Sequence, residues 1–92
     1  MLDLVRRLAR HLRDNPFAGD TKEGITQWWL GLTPASVDLV EQLLASLQAA
    51  GLIESVRGLD GLVHYRRTSP DASTNAQFDR LIANPANPQR DR

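Results

Sequence analysis

The stretch TPASVDLVEQLLASLQAAGLIES, residues 33–55, holds the pattern that decides the fold. Thr33 offers an N-cap side chain, and Pro34 suits a first helical turn, where its missing N–H has no intrahelical partner to lose. Val37, Val40, Leu44 and Leu47 then recur at helical spacing as the centre of a buried stripe, with Leu39, Leu43 and Ala50 widening one border. Gly51 is placed to end the helix in the left-handed region. The opposite face carries Asp38, Glu41, Gln42, Ala45, Ser46 and Ala49, with no arginine or lysine. Past the glycine, residues 52–56 read as a short strand, RGLDG as a turn with an Asp60-Gly61 hairpin signal, and residues 62–67 as the returning strand. Val63 and Tyr65 alternate with His64 and Arg66, which gives the ribbon one apolar and one polar side. So small a hairpin is marginal alone and must lie against helices.

Those helices lie upstream. Leu4, Val5, Leu8 and Leu12 fall on one side of a first helix and Arg6, Arg7, Arg10 and Arg13 on the other, with Asp3 in the first turn and the end near Asn15-Pro16. NPFAGD is a turn-rich connector whose Phe17 is expected to pack inward. Asp20 or Thr21 then caps a second helix over residues 22–30, with Glu23 spaced from Asp20 as in a capping box and Gly31 as the stop. Ile25 is three and four residues from Trp28 and Trp29, so both indoles reach toward one side. Adjacent helical positions differ by about 100 degrees, however, and the two rings cannot share one environment. One or both complete the core against the first helix, or one indole stays in part outside as an anchor for a partner.

From Ser69 onward the composition turns to Ser, Pro, Asp, Asn and Ala, and only Phe78, Leu81 and Ile82 can pack, in a short helix over residues 76–83. Residues 84–92 read as a disordered tail. The expected fold class is therefore α+β, mainly α: three helices and a two-stranded hairpin over residues 1–68, an extension over 69–83, and the tail. The 92 residues allow one small core, and the balance of 11 basic and 11 acidic side chains gives no overall attraction to polyanions. With no cysteine and two histidines, neither a disulfide frame nor a structural zinc centre is expected. No apolar run is long enough for a membrane span, and MLDLVRRLARHLRD is too charged for a signal peptide, so a cytoplasmic protein is expected.

Three helices followed by AAGLIES and a hairpin resemble the winged helix-turn-helix domain, over about residues 2–68. LQAAGLIES, in which glycine ends the third helix and Leu52-Ile53 opens the first strand, carries the resemblance. It implies that the outer face of the third helix enters the major groove of DNA while the hairpin wing touches phosphates or the minor groove. Carried to this chain, the groove residues would be Ser36, Asp38, Leu39, Glu41, Gln42 and Ser46, and the wing would supply Arg57, Arg66 and Arg67. The chain departs from that pattern, because no Lys or Arg lies between Lys22 and Arg57 and two carboxylates stand on the groove face. Phosphate neutralisation supplies most non-specific affinity for DNA.

Nothing local supplies catalytic chemistry. His11 and His64 lack a paired nucleophile, and Gly19, Gly24 and Gly31 lack the strand, spacing and lysine of a phosphate loop. No catalytic residue, cofactor, metal or small-molecule substrate is expected. Gly24 is read instead as allowing close packing against a neighbour. The first expectation is a non-catalytic domain that binds another protein or itself, through Asp38, Leu39, Glu41, Gln42 and Trp28, with Leu43 as a further apolar contact. The other is a small DNA-binding regulator, acting as a dimer, with contacts from Ser36, Gln42, Arg57, Arg66 and Arg67.

Overall fold

The computed structural model describes residues 2–84. Helix α1, Leu2–Asp14, turns Leu8, Ala9 and Leu12 fully inward and leaves Arg6, Arg7 and Arg10 outside. A turn at residues 15–18, closed by Ala18 N–H donating to the Asn15 carbonyl at 3.0 Å, leads into strand β1, Gly19–Asp20. Phe17 sits at the corner of that turn and is 86% exposed, so it does not pack inward as expected. Thr21 caps helix α2, Lys22–Gly24, its hydroxyl accepting from Gly24 N–H at 3.1 Å. With the cap at Thr21 rather than Asp20, Gly24 and not Glu23 takes the third helical position, and no capping box forms. A Cβ at Gly24 would strike the Asp20 carboxylate.

The second helix does not continue as α to Leu30. It widens into a π turn, Ile25–Trp29, in which Leu30 N–H reaches the Ile25 carbonyl five residues back at 3.1 Å. Thr26 assists by donating its hydroxyl to the Lys22 carbonyl at 2.7 Å. The extra residue per turn rotates Trp28 and Trp29 away from α-helical positions. A single 3-10 turn, Pro34–Ser36, then starts helix α3, Val37–Ala49. Its end forms a Schellman motif: Gly51 at φ +78 donates to Gln48 O at 3.0 Å, and Leu52 N–H to Leu47 O at 3.0 Å.

Strands β2, Ile53–Arg57, and β3, Val63–Arg67, form the expected hairpin, with Ile53 opposite Arg67 and Arg57 opposite Val63. β1 adds to the free side of β3, opposing Gly19 to Arg66 and Asp20 to Tyr65, so the sheet has three antiparallel strands in the order β1-β3-β2 rather than two. Helix α4, Ala72–Ala83, begins four residues earlier than the expected residue 76, because Asp71 caps it by accepting from Thr74 N–H at 2.8 Å.

The result is an α+β fold, mainly helical, with four helices around one core. Leu8 and Leu12 of α1, Ile25 and Leu30 of the second helical segment, Val40, Leu43, Leu44 and Leu47 of α3, Leu52 and Ile53, and Phe78 and Leu81 of α4 make that core. α4 lies antiparallel along α1: Arg6 Nε donates to the Ile82 carbonyl at 3.0 Å and Arg13 Nε pairs with Asp79 Oδ1 at 3.0 Å. α4 thus joins the core through Phe78 and Leu81. Of the tail expected at residues 84–92, all but Asn84 lie outside the described residues.

Candidate functional site

α3 turns its stripe of valines and leucines to the core and leaves Asp38, Glu41, Gln42, Ala45, Ser46 and Ala49 in solvent. Leu39 and Ser36 are half-buried at its edge. Leu43 is 6% exposed and belongs to the core, so it is no contact for a partner. α2 and the π turn pack beside α3, where Lys22 Nζ lies 3.0 Å from Glu41 Oε2. That bond holds the lysine pKa above its ordinary value. Of the charged residues from Glu23 to Val56, namely Glu23, Asp38, Glu41 and Glu54, every one is an acid.

The two tryptophans separate at the π turn. Trp29 is half-buried with its ring stacked on His11, 4.3 Å between centroids and 23° between planes. Trp28 is 75% exposed. The sequence shows an apolar pair at helical spacing, and only the π geometry decides which indole is left outside.

The hairpin arginines do not form one free cationic edge. Arg57 is exposed and folds over its own turn, Nη1 donating to the Gly61 carbonyl at 2.9 Å. Arg66 Nε pairs with Glu54 Oε2 across the sheet at 2.8 Å. Arg67, expected among the wing contacts, is 4% exposed: Nη1 donates to Leu12 O at 3.2 Å and Asn75 Oδ1 at 2.9 Å, and Nε to Ser69 O at 3.1 Å. Its guanidinium also lies 5.0 Å from the centre of the Phe78 ring. It therefore ties α1, β3 and α4 together and cannot meet a phosphate without leaving the core. The hairpin tip itself is apolar, with Leu59 fully in solvent, Leu62 54% and Val63 38% exposed. Strand alternation placed Val63 on the apolar side but gave no warning that this end of the ribbon overhangs the core. Asp60 shapes the tip by accepting from Leu62 N–H at 2.9 Å, a bond that lowers its pKa, and lies 3.2 Å from His64 Nε2.

Comparison with family models, with curated proteins and with solved structures finds no match to this chain. Among the described residues no group of three or more histidines and carboxylates could hold a metal ion. No described helix is long and apolar enough to cross a membrane.

The arginines of α1 are also largely engaged. Arg6 and Arg13 hold α4, and Arg7 Nη2 donates to the Leu30 carbonyl at the end of the π turn. Arg10 is exposed and has no hydrogen-bond or ion-pair partner among the described residues.

Proposed function

We propose that this chain is a non-catalytic winged-helix module that binds another protein through Trp28 and the outward face of α3. The succession of α1, β1, α2, α3 and the β2–β3 hairpin supports the winged-helix part of the reading. The observation that carries the binding part is Trp28, left 75% exposed on a π turn whose Ile25 and Thr26 are buried. An indole buries roughly 150–250 Å² when covered, and tryptophan is enriched among interface hot spots. Leu39 supplies half-exposed apolar surface on α3, and Asp38, Glu41 and Gln42 supply the polar rim that selects a partner.

DNA regulation through Ser36, Gln42 and the hairpin arginines is the competing reading, and the exposed Arg57 favours it. Against it, Arg66 is already paired with Glu54, Arg67 is buried, and α3 offers Asp38 and Glu41 where phosphates would lie. Two experiments decide. Fluorescence anisotropy of a labelled mixed-sequence duplex should show no binding even at low salt; affinity that falls steeply as salt rises would move the DNA reading to first place. A photo-crosslinking amino acid at Trp28 should yield protein adducts in cells, and the same group at exposed Ser73 should not. Equal yields from both positions would remove Trp28 as an anchor.

A further inference from the structure

We infer that the partner is a second copy of this chain, whose α1 arginine face docks head to tail on the Trp28 and α3 face. The inference rests on the protein-binding reading above. Its basis is the separation of charge within a chain whose 11 basic and 11 acidic residues cancel overall. All four charged side chains from Glu23 to Val56 are acids, and among the described residues neither Glu23 nor Asp38 is in a salt bridge, although Glu23 lies near the ammonium of Lys22. α1 carries Arg6, Arg7, Arg10 and Arg13 against Asp3 and Asp14.

The arginines of α1 retain their charge. Arg6 and Arg7 donate to backbone carbonyls, which orient the side chains without neutralising them, and Arg10 is unpartnered among the described residues. Only Arg13 meets a carboxylate, that of Asp79. The two faces are complementary in a second respect. Trp28 is exposed at 75%, and an indole face is the strongest aromatic acceptor for a guanidinium. An arginine of the incoming α1 lies over Trp28 in this arrangement, while Asp38 and Glu23 face its neighbours. α1 and α3 both bring their inner sides to the shared core, and among the described residues no arginine of α1 pairs with Glu23 or Asp38 of the same copy. A contact between two different patches leaves one of each free in a pair, and so extends to a ring or a chain.

Sedimentation equilibrium of the full chain tests this. The mean mass of the natural chain should rise with concentration at low salt and fall toward the monomer as salt screens the two faces. Trp28→Ala damages only the acidic, indole-bearing face and Arg10→Asp only the basic one, so each variant alone should associate about tenfold or more weakly, with thermal unfolding unchanged. An equimolar mixture should form a dimer and nothing larger, because each variant supplies the face the other lacks. A natural chain that stays monomeric to millimolar concentration at low salt overturns the inference. So does a mixture that fails to dimerise, or an Arg10→Asp variant that associates like the natural chain, since that would mean a symmetric contact. If the chain is monomeric while crosslinks at Trp28 go to a different protein, the protein-binding reading stands and the second copy is excluded; if no crosslinks form either, both fall.

Discussion

The His11 imidazole lies flat on the Trp29 indole, 4.3 Å between ring centroids, and joins α1 to the π turn. Burial of the ring lowers the His11 pKa from 6.5, and Asp14 on the same helix opposes the shift without cancelling it. Below pH 6.5 the unfolded chain therefore binds a proton that the folded chain resists. The stabilisation is present above that value and lost as pH falls through the window down to the folded-state pKa. Thermal unfolding should occur at lower temperature at about pH 5.5 than at about pH 7.5, and His11→Phe, which keeps a ring on Trp29, should reduce that difference. A His11→Phe profile identical to that of the natural chain would remove His11 as the cause.

The neighbouring tryptophans should report different surroundings. Trp28→Ala deletes a side chain that is 75% exposed, and a surface substitution of this kind shifts stability by no more than about 0.5 kcal/mol. Trp29→Ala opens the contact with His11 and should cost about 1–3 kcal/mol. In fluorescence, Trp28→Phe should abolish most of the quenching by acrylamide, and Trp29→Phe should leave it. The reverse pattern would mean that the π turn presents the other indole in solution.

Gly51 allows a cleaner measurement of backbone strain. Its φ is +78 and a Cβ built there meets nothing within 4 Å, so alanine introduces no clash. What remains is the cost of a left-handed residue, roughly 1–2 kcal/mol. Gly51→Ala should lower the urea midpoint by that amount with no change in slope, and Gly51→Asn should lose less. Equal losses for the two would point to a cause other than backbone conformation.

How legible these features were follows from how local they are. The Gly51 stop and the stripe of Val40, Leu44 and Leu47 are written in neighbouring residues, and sequence spacing located both. β1 is two residues long and has no periodicity of its own; it exists because the outer side of β3 needs backbone partners. The π turn depends on Thr26 bonding back to Lys22 and on Leu30 being drawn into the core, neither of which changes the apolar pattern. Phe17 looked like core because it is aromatic, but a turn corner sets its direction. In the candidate site, the acidic face of α3 was readable from spacing. The burial of Arg67 beside exposed Arg66 was not, since its partners at Leu12 and Asn75 lie 55 and 8 residues away.

Arg67 has carbonyl and amide acceptors for Nε and Nη1, a ring face at Phe78, and no carboxylate in contact, while Nη2 is buried without a partner among the described residues. Removing it by Arg67→Ala strands Leu12 O and Asn75 and opens a void against Phe78, which should cost about 2–4 kcal/mol. Arg67→Met fills much of the same volume and also removes an uncompensated buried charge, so its cost should be smaller, about 1–2 kcal/mol. If the guanidinium is the tie between β3 and α4, amide exchange in the Arg67→Ala variant should quicken first along α4, where Phe78 and Leu81 are buried, and only later in α3. Uniform quickening across the whole chain would mean instead that α4 and the rest of the core unfold as one unit, which is the outcome expected of Phe78→Ala. Comparing the two variants therefore separates the contribution of the arginine from that of the helix it holds.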